Sequence, residues 1–260
     1  MSKHRAIIIA AGTGSRLRPL TDDLPKCMLQ VEEKTLLEHC IESLKENEIN
    51  HISIVTGHKS KEINLKGLFY FHNDNYLNNN ILHSLMYARK ELENAVREEA
   101  NMIISYSDIW FHSSLIKTLL KSKGEINILV DSDWEKSYEG RTDHPISEAE
   151  LAVLGDDETL QAIGKNASSS NEKGKKIGEF IGLVMMKPSG IKMFLDHFDK
   201  VNSTIAHESP FQRASEWRKS YLTDIFQDMI EVGLSINCSS VEGKWKEFDT
   251  IQDFERGLPF

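Results

Sequence analysis

Ala6-Ile7-Ile8-Ile9-Ala10-Ala11-Gly12-Thr13-Gly14-Ser15 is the stretch that decides the fold. An apolar run without polar alternation predicts a strand buried on both faces, as in a parallel sheet covered by helices. The run stops at Gly12 and Gly14, where backbone N–H groups can approach a ligand with no Cβ in the way. The same punctuation recurs outward from it. His51 to Thr56 is a second strand closed by Gly57, Leu68 to His72 a third, Asn101 to Tyr106 a fourth ending at Ser107-Asp108, and Ile126 to Val130 a fifth ending at Asp131. Between them, Leu36 to Leu44, Ile81 to Val96 and Leu115 to Leu120 carry apolar residues at helical spacing.

Short apolar strands alternating with amphipathic helices predict an α/β fold, doubly wound, with a mostly parallel Rossmann-like central sheet and helices on both faces. Ligands bind such sheets at the carboxyl ends of the strands. After Ser132 the pattern changes. Ala149 to Leu154 and Thr159 to Ile163 read as an antiparallel hairpin, Asn166 to Lys176 as a loop, and Ile177 to Lys187 as a further strand. Ser189 to Phe198 and Glu208 to Val232 read as helices, Ser235 to Cys238 and Lys246 to Phe248 as strands, and Thr250 to Arg256 as a closing helix. The expectation is one domain over 1–260, with a small antiparallel extension in the second half, 132–260, and a return of the last strands to the sheet of 1–131.

With 31 Lys+Arg against 40 Asp+Glu, the net charge of −9 argues against a nucleic-acid partner. It leaves room for small phosphorylated substrates held by a few local cations. Cys27, Cys40 and Cys238 are too few and scattered for a disulfide framework or a zinc site and read as buried or idle thiols. The start has too short an apolar run for a signal peptide, and no stretch approaches a membrane span, so a cytoplasmic protein with no membrane partner is expected.

Gly12-Thr13-Gly14 alone is also what a tight strand-to-helix turn would carry. A dinucleotide fold requires a third glycine where Leu17 stands and a helix that Pro19 and Pro25 forbid. A P-loop requires G-x-x-x-x-G-K-[ST], which is absent. What remains is a long loop running to Pro25-Lys26, whose cations Arg16 and Lys26 suit a triphosphate accepting a nucleophile at its α-phosphorus.

The run A-A-G-x-G-S-R-L-x-P-L-T followed by P-K resembles the nucleotidyltransferase family, and the likeness continues to Asp108 and to Trp245 through Thr250. Ala11 where sugar-1-phosphate enzymes have glycine, Asn79-Asn80-x-x-x-Ser84-Leu85, and Asp249-Thr250 without a following Gly-Thr resemble the phosphonate and phosphocholine cytidylyltransferases instead. So do Gly140 through Glu150, Gly178 through Leu183 and Arg218 through Asp224.

The resemblance implies transfer of CMP from CTP to a phosphonate, 2-aminoethylphosphonate first, or to a phosphocholine-like phosphomonoester, with release of pyrophosphate. It implies Mg²⁺ on Asp108 and Asp249, catalytic roles for Arg16 and Lys26, and nucleotide contacts from Ala10, Ala11, Gly12, Thr13, Gly14, Ser15, Gly57, Asn80 and Ser84. Lys165 would hold the acceptor's phosphoryl group and Glu179 an ammonium; Asp131 would touch acceptor or metal. The plainer alternatives are a solvated lysine, a strand-edge ion pair and a surface acid. Trp134 and Tyr138 either face a quaternary ammonium or pin a loop to the core. A homodimer, a sugar-1-phosphate nucleotidylyltransferase, a silent regulatory module on the same fold and a nicotinamide oxidoreductase stay open as alternatives.

Overall fold

The computed structural model describes residues 4–167 and 176–257. In chain order the first half holds β1 (His4–Ala10), β2 (Gln30–Val31), β3 (Lys34–Thr35), α1 (Leu36–Lys45), β4 (His51–Thr56), β5 (Phe69–His72), α2 (Ile81–Met86), α3 (Arg89–Arg97), β6 (Asn101–Tyr106), β7 (Ile109–Phe111), α4 (Ser114–Leu120) and β8 (Ile126–Asp131). The second holds β9 (Glu150–Leu154), β10 (Leu160–Lys165), β11 (Lys176–Met186), α5 (Pro188–Thr204), α6 (Leu222–Glu231), β12 (Asn237–Val241), β13 (Trp245–Glu247) and α7 (Ile251–Glu255).

The unalternating run of β1 is explained by its place. It lies between β4 and β6, parallel to both. Ile7 and Ile9 point into one core with α2, α3, α5 and α6, while Ala6, Ile8 and Ala10 point into the other with α1 and α4. Successive side chains of a strand face opposite ways, so a strand with a core on each side is apolar throughout. The order β10-β9-β11-β6-β1-β4-β5, with β8 on β11 and β12 on β8, gives the expected α/β fold with its parallel centre β6-β1-β4-β5. β12 returns to the sheet parallel to β8, whereas β13 pairs with β7 in a separate ribbon.

β11 joins the parallel centre to the antiparallel extension. Its start pairs β9 and its end pairs β6, both antiparallel, while β8 runs along its other edge. The change of partner falls at Gly182, whose φ of +78° belongs to the left-handed region, and a Cβ there would lie 2.8 Å from the Tyr106 ring. Tyr106 ends β6 at the mouth of the sheet, so the bend and the site share a side chain.

Two expected helices differ. Ile81 to Val96 is broken between α2 and α3, because Tyr87 and Ala88 bond tightly back to Ser84 (3.1 Å) and Leu85 (2.9 Å) and redirect the chain. Glu208 to Val232 is α-helical only from Leu222, with a single 3₁₀ turn over Trp217–Lys219 before it. Pro210 lacks an N–H, and Asp224 accepts the N–H groups of Tyr221 (2.8 Å) and Arg213 (3.1 Å), which starts a new helix there. The apolar residues before it are buried for another reason: Trp217 is wedged against Phe211, Phe198 and His83. Of the loop expected over Asn166 to Lys176, residues 168–175 lie outside the described residues. The three cysteines are buried free thiols, and among the described residues no helix is long and apolar enough to cross a membrane.

The bend predicts a mutation. Gly182→Ala combines a strained φ with a clash against an aromatic ring, and should cost about 1–3 kcal/mol of stability in urea denaturation. A loss below about 0.5 kcal/mol would mean that Tyr106 moves aside freely.

Candidate active site

A cavity of about 280 Å³ opens at the carboxyl ends of β1 and β6. It gathers most of the residues expected from the sequence: the loop from Ala10 through Gly12, Thr13, Gly14 and Ser15 to Arg16, then Lys26, Asn80, Ser84, Asp108, Lys165 and Asp249. Gly14 has φ +61°, and a Cβ on it would sit 3.0 Å from both Lys26 Cβ and Thr21 Cγ2. Glycine at that position lets the loop fold down onto Lys26. At Gly12 a Cβ would meet nothing within 4 Å, so the backbone there borders open space.

Lys26 is the centre of the site. Its ammonium donates to Asp108 Oδ2 at 2.8 Å and to Asp249 Oδ1, joining positions 82 and 223 residues away. The side chains of Lys26 and Asp249 are only 12% and 5% exposed. Burial works against charge on both, and proximity wins: Asp108, Asp249 and Glu247 raise Lys26 above the usual lysine range, while Lys26, with His144 and Arg16, holds Asp249 well below the usual carboxylate range. Arg16 reaches the other oxygen of Asp249 at 2.5 Å. Two carboxylates converging on one ammonium define a cation-sized point with oxygen donors, the donor chemistry that Mg²⁺ takes.

Asn80 caps α2 by accepting the Ile81 N–H at 2.9 Å, and Ser84 Oγ accepts from buried Asn73 at 2.9 Å. Lys165, which lines the same cavity, donates to Glu148 at 2.6 Å and lies 5.9 Å from the Tyr221 ring centroid.

Three expected residues are placed elsewhere. Gly57 does not line the cavity; it lies behind the loop, where a Cβ would be 2.6 Å from the Ala11 carbonyl oxygen. Asp131 is corrected from an acceptor or metal contact to a fastening inside the fold. It is 2% exposed, its oxygens accept from Gly243 N–H (3.1 Å), Trp245 Nε1 (2.7 Å) and Asp133 N–H (2.9 Å), and it lines no cavity described here. Glu179 lies in a second, smaller cavity of about 40 Å³ continuous in lining with the first through Tyr106, His144, Glu148, Glu150 and Glu247. Trp134 and Tyr138 pack edge to face in a cluster with Ala149 and Leu151, which is the loop-pinning arrangement and not an open cage.

The smaller chamber was invisible to sequence reasoning as a unit. Its lining includes Glu148, Glu150, Glu179 and Glu247 but no lysine or arginine among the described residues. Tyr138 donates to Glu179 Oε1 at 2.5 Å, leaving Oε2 buried and unpartnered, and the Tyr106 hydroxyl is also buried without a partner. Burial pushes Glu179 up to about 8 and Glu150 to about 7. His144 Nδ1 lies 3.1 Å from Asp249 Oδ2 without the alignment of a hydrogen bond. The signal for these residues was present: His144, Glu148 and Glu150 stand in the motif from Gly140 to Glu150, and Glu247 stands between Trp245 and Asp249.

Lys26 makes the site's stability depend on pH with a definite sign. A carboxylate depressed in the fold stabilises it above the unfolded value of about 4, and that contribution is lost as pH falls. Lys26→Met should therefore lower unfolding free energy at pH 7 by about 3 kcal/mol, since a buried carboxylate loses its partner. The variant should lose less than the parent between pH 5 and 3. Parallel acid limbs for the two proteins in urea titrations would contradict the pairing.

Residues 5–125 match the family model described as nucleotidyl transferase. A CTP:phosphoglutamine cytidylyltransferase of Campylobacter jejuni is 29% identical over 255 residues, which cover 96% of this chain and 97% of that protein. A choline-phosphate cytidylyltransferase of Streptococcus pneumoniae is 43% identical over 95 residues, covering 35% of this chain and 42% of that one. Among solved structures, the CTP:phosphocholine cytidylyltransferase of Streptococcus pneumoniae superposes with a TM-score of 0.70 at 24% identity, over 97% of this chain and 96% of that one. The glycine loop, Lys26 and Asp108 thus fall within the stretch that matches the nucleotidyl transferase family, and Asp249 joins them in the same cavity from beyond it.

Proposed function

We propose that the protein transfers CMP from CTP to a small phosphonate or phosphomonoester bearing an ammonium group, 2-aminoethylphosphonate first, and releases pyrophosphate. The observation that carries this is the sharing of Lys26 between Asp108 and Asp249 at the foot of the glycine loop. Support comes also from the named activities of the Campylobacter and Streptococcus relatives, both cytidylyltransferases with phosphorylated acceptors.

In this reading the backbone of Gly12 to Ser15 faces the triphosphate, and Asn80 with Ser84 borders the cytosine. Mg²⁺ on Asp108 and Asp249 would shed charge from the triphosphate and orient the leaving group. Lys26 exchanges its carboxylate partners for phosphate oxygens and stabilises charge on the departing pyrophosphate. Lys165 orients the acceptor's phosphoryl oxygen toward the α-phosphorus. One P–O bond forms there, the bond to the β-phosphate breaks, and its electron pair leaves with pyrophosphate. The acceptor oxygen is already an anion, so no general base is assigned.

The acidic chamber receives the acceptor's other end. Glu179 Oε2 and the Tyr106 hydroxyl are unpartnered, and an N–H-bearing cation can donate to both. A trimethylammonium donates nothing and needs an aromatic cage, which Trp134 and Tyr138 do not form.

Pyrophosphate release, crossing the four nucleoside triphosphates with phosphonates, phosphomonoesters and sugar 1-phosphates, tests the reading. CTP should be preferred; a purine triphosphate favoured tenfold, about 1.4 kcal/mol, or a sugar 1-phosphate as best acceptor, would overturn it. Lys26→Ala should lose turnover by about two orders of magnitude or more, and Lys165→Ala should raise the acceptor KM while leaving that of CTP nearly unchanged.

The head group has its own test. Phosphoethanolamine should outcompete phosphocholine, which differs from it by three methyl groups. Below pH 8 an ammonium must displace the proton that burial places on Glu179. The KM of the amine acceptor, relative to that of ethylphosphonate, should therefore fall as pH rises from 6 to 8, by up to about tenfold per unit. A flat ratio would remove Glu179 from the acceptor site.

A further inference from the structure

Arg141 lines neither cavity, yet its side chain is only 5% exposed and is held by two carboxylates. Its Nε donates to Asp253 Oδ1 at 2.7 Å, and its Nη2 to Asp253 Oδ2 at 2.9 Å and to Glu247 at 3.2 Å. Asp253, itself 2% exposed at the side chain, passes this hold to the site. Its Oδ2 accepts the backbone N–H of Asp249 at 3.0 Å, the N–H of Thr250 at 2.8 Å and the Thr250 hydroxyl at 2.9 Å. The peptide that aims Asp249 at Lys26 is thus fixed by a carboxylate, and that carboxylate is fixed by a guanidinium arriving from a different part of the chain.

A helix cap alone does not require this. In α1 the same capping arrangement is made by Thr35 and Glu38, where the hydrogen bonds come from the cap residue itself and the side chain of Glu38 is not gripped by an arginine. At α7 the cap is extended to the residue before it, Asp249, and then locked by a planar fork whose two parallel bonds fix the carboxylate's plane as well as its position.

We propose that Arg141 is a positioning residue for divalent-cation binding, acting through Asp253 on Asp249. The inference rests on the reading of Asp108 and Asp249 as the cation's ligands. Partners one layer behind a ligand typically change metal affinity by 10–100-fold when removed. Arg141→Lys retains the charge beside Glu247 but not the fork, so it should not restore what Arg141→Met loses.

The test is calorimetric titration of Mn²⁺ into the full-length protein with CTP present, alongside CTP titration in metal-free buffer. Asp249→Asn calibrates the site. Arg141→Met and Asp253→Asn should each weaken Mn²⁺ by about tenfold or more, Arg141→Lys by nearly as much, and CTP binding without metal should stay within about twofold. Arg89→Met, which removes an exposed ion pair with Asp199, should change neither. If Asp249→Asn weakens Mn²⁺ while folded Asp253→Asn and Arg141→Met bind it normally, the positioning role is overturned. If Asp249→Asn itself binds Mn²⁺ normally, it is the cation reading that falls. Should Arg141→Met fail to fold, Asp253→Asn, which preserves shape and packing, decides the matter.

Discussion

One ammonium held by two aspartates is the constraint on which the site depends. Asp249 is almost wholly buried, and a buried carboxylate without a partner is among the costlier things a fold can contain. Lys26 supplies the counter-charge from the end of the glycine loop, Asp108 faces it from beyond β6, and Asp249 arrives from the last tenth of the chain. Three segments distant in sequence must therefore close together before any of their charges is satisfied. The loop's glycine at 14 is part of the same requirement, because a side chain there would press on Lys26.

The second constraint is geometric. β11 serves two parts of one sheet that differ in character and changes partner at Gly182. The turn of the strand leaves room at Tyr106, whose ring packs edge to face on Phe180 and whose hydroxyl stays unpaired. Glu179 comes from the same strand, three residues earlier. The chamber is thus a by-product of how the parallel centre is joined to the antiparallel extension, and Glu179 is buried in it because the strand that carries it is a central one.

How much of this was legible in the sequence depended on whether the signal was local. β1 and its loop were readable because burial on both faces leaves an unbroken apolar run, and the glycines and prolines beyond it exclude rival loops. The gathering of Lys26, Asp108 and Asp249 was implied by resemblance and not by spacing. Asp131 misled because a strand-end acid looks alike whether it faces a ligand or, as here, the indole N–H of Trp245. The helix expected through Trp217 failed because apolar residues packed by tertiary contact can mimic helical spacing. Arg141 stands in the motif from Gly140 to Glu150, but its pairing with Asp253 gave no signal, since an ion pair across 112 residues has no local pattern.

The arrangement of charge across the two cavities has a consequence for a protein with a net charge of −9. Arg16, Lys26 and Lys165 line the larger cavity, whereas the smaller one is lined by acids with no lysine or arginine among the described residues. A ligand with a phosphoryl group at one end and an ammonium at the other meets opposite fields in a single orientation. Turned around, it would set like charges together at both ends, in a low-dielectric space where such contacts are costly. Binding and alignment then come from the same interactions, which is what the proposed transfer requires: without a general base, its rate would rest on where the oxygen is held and on how the triphosphate's charge is neutralised.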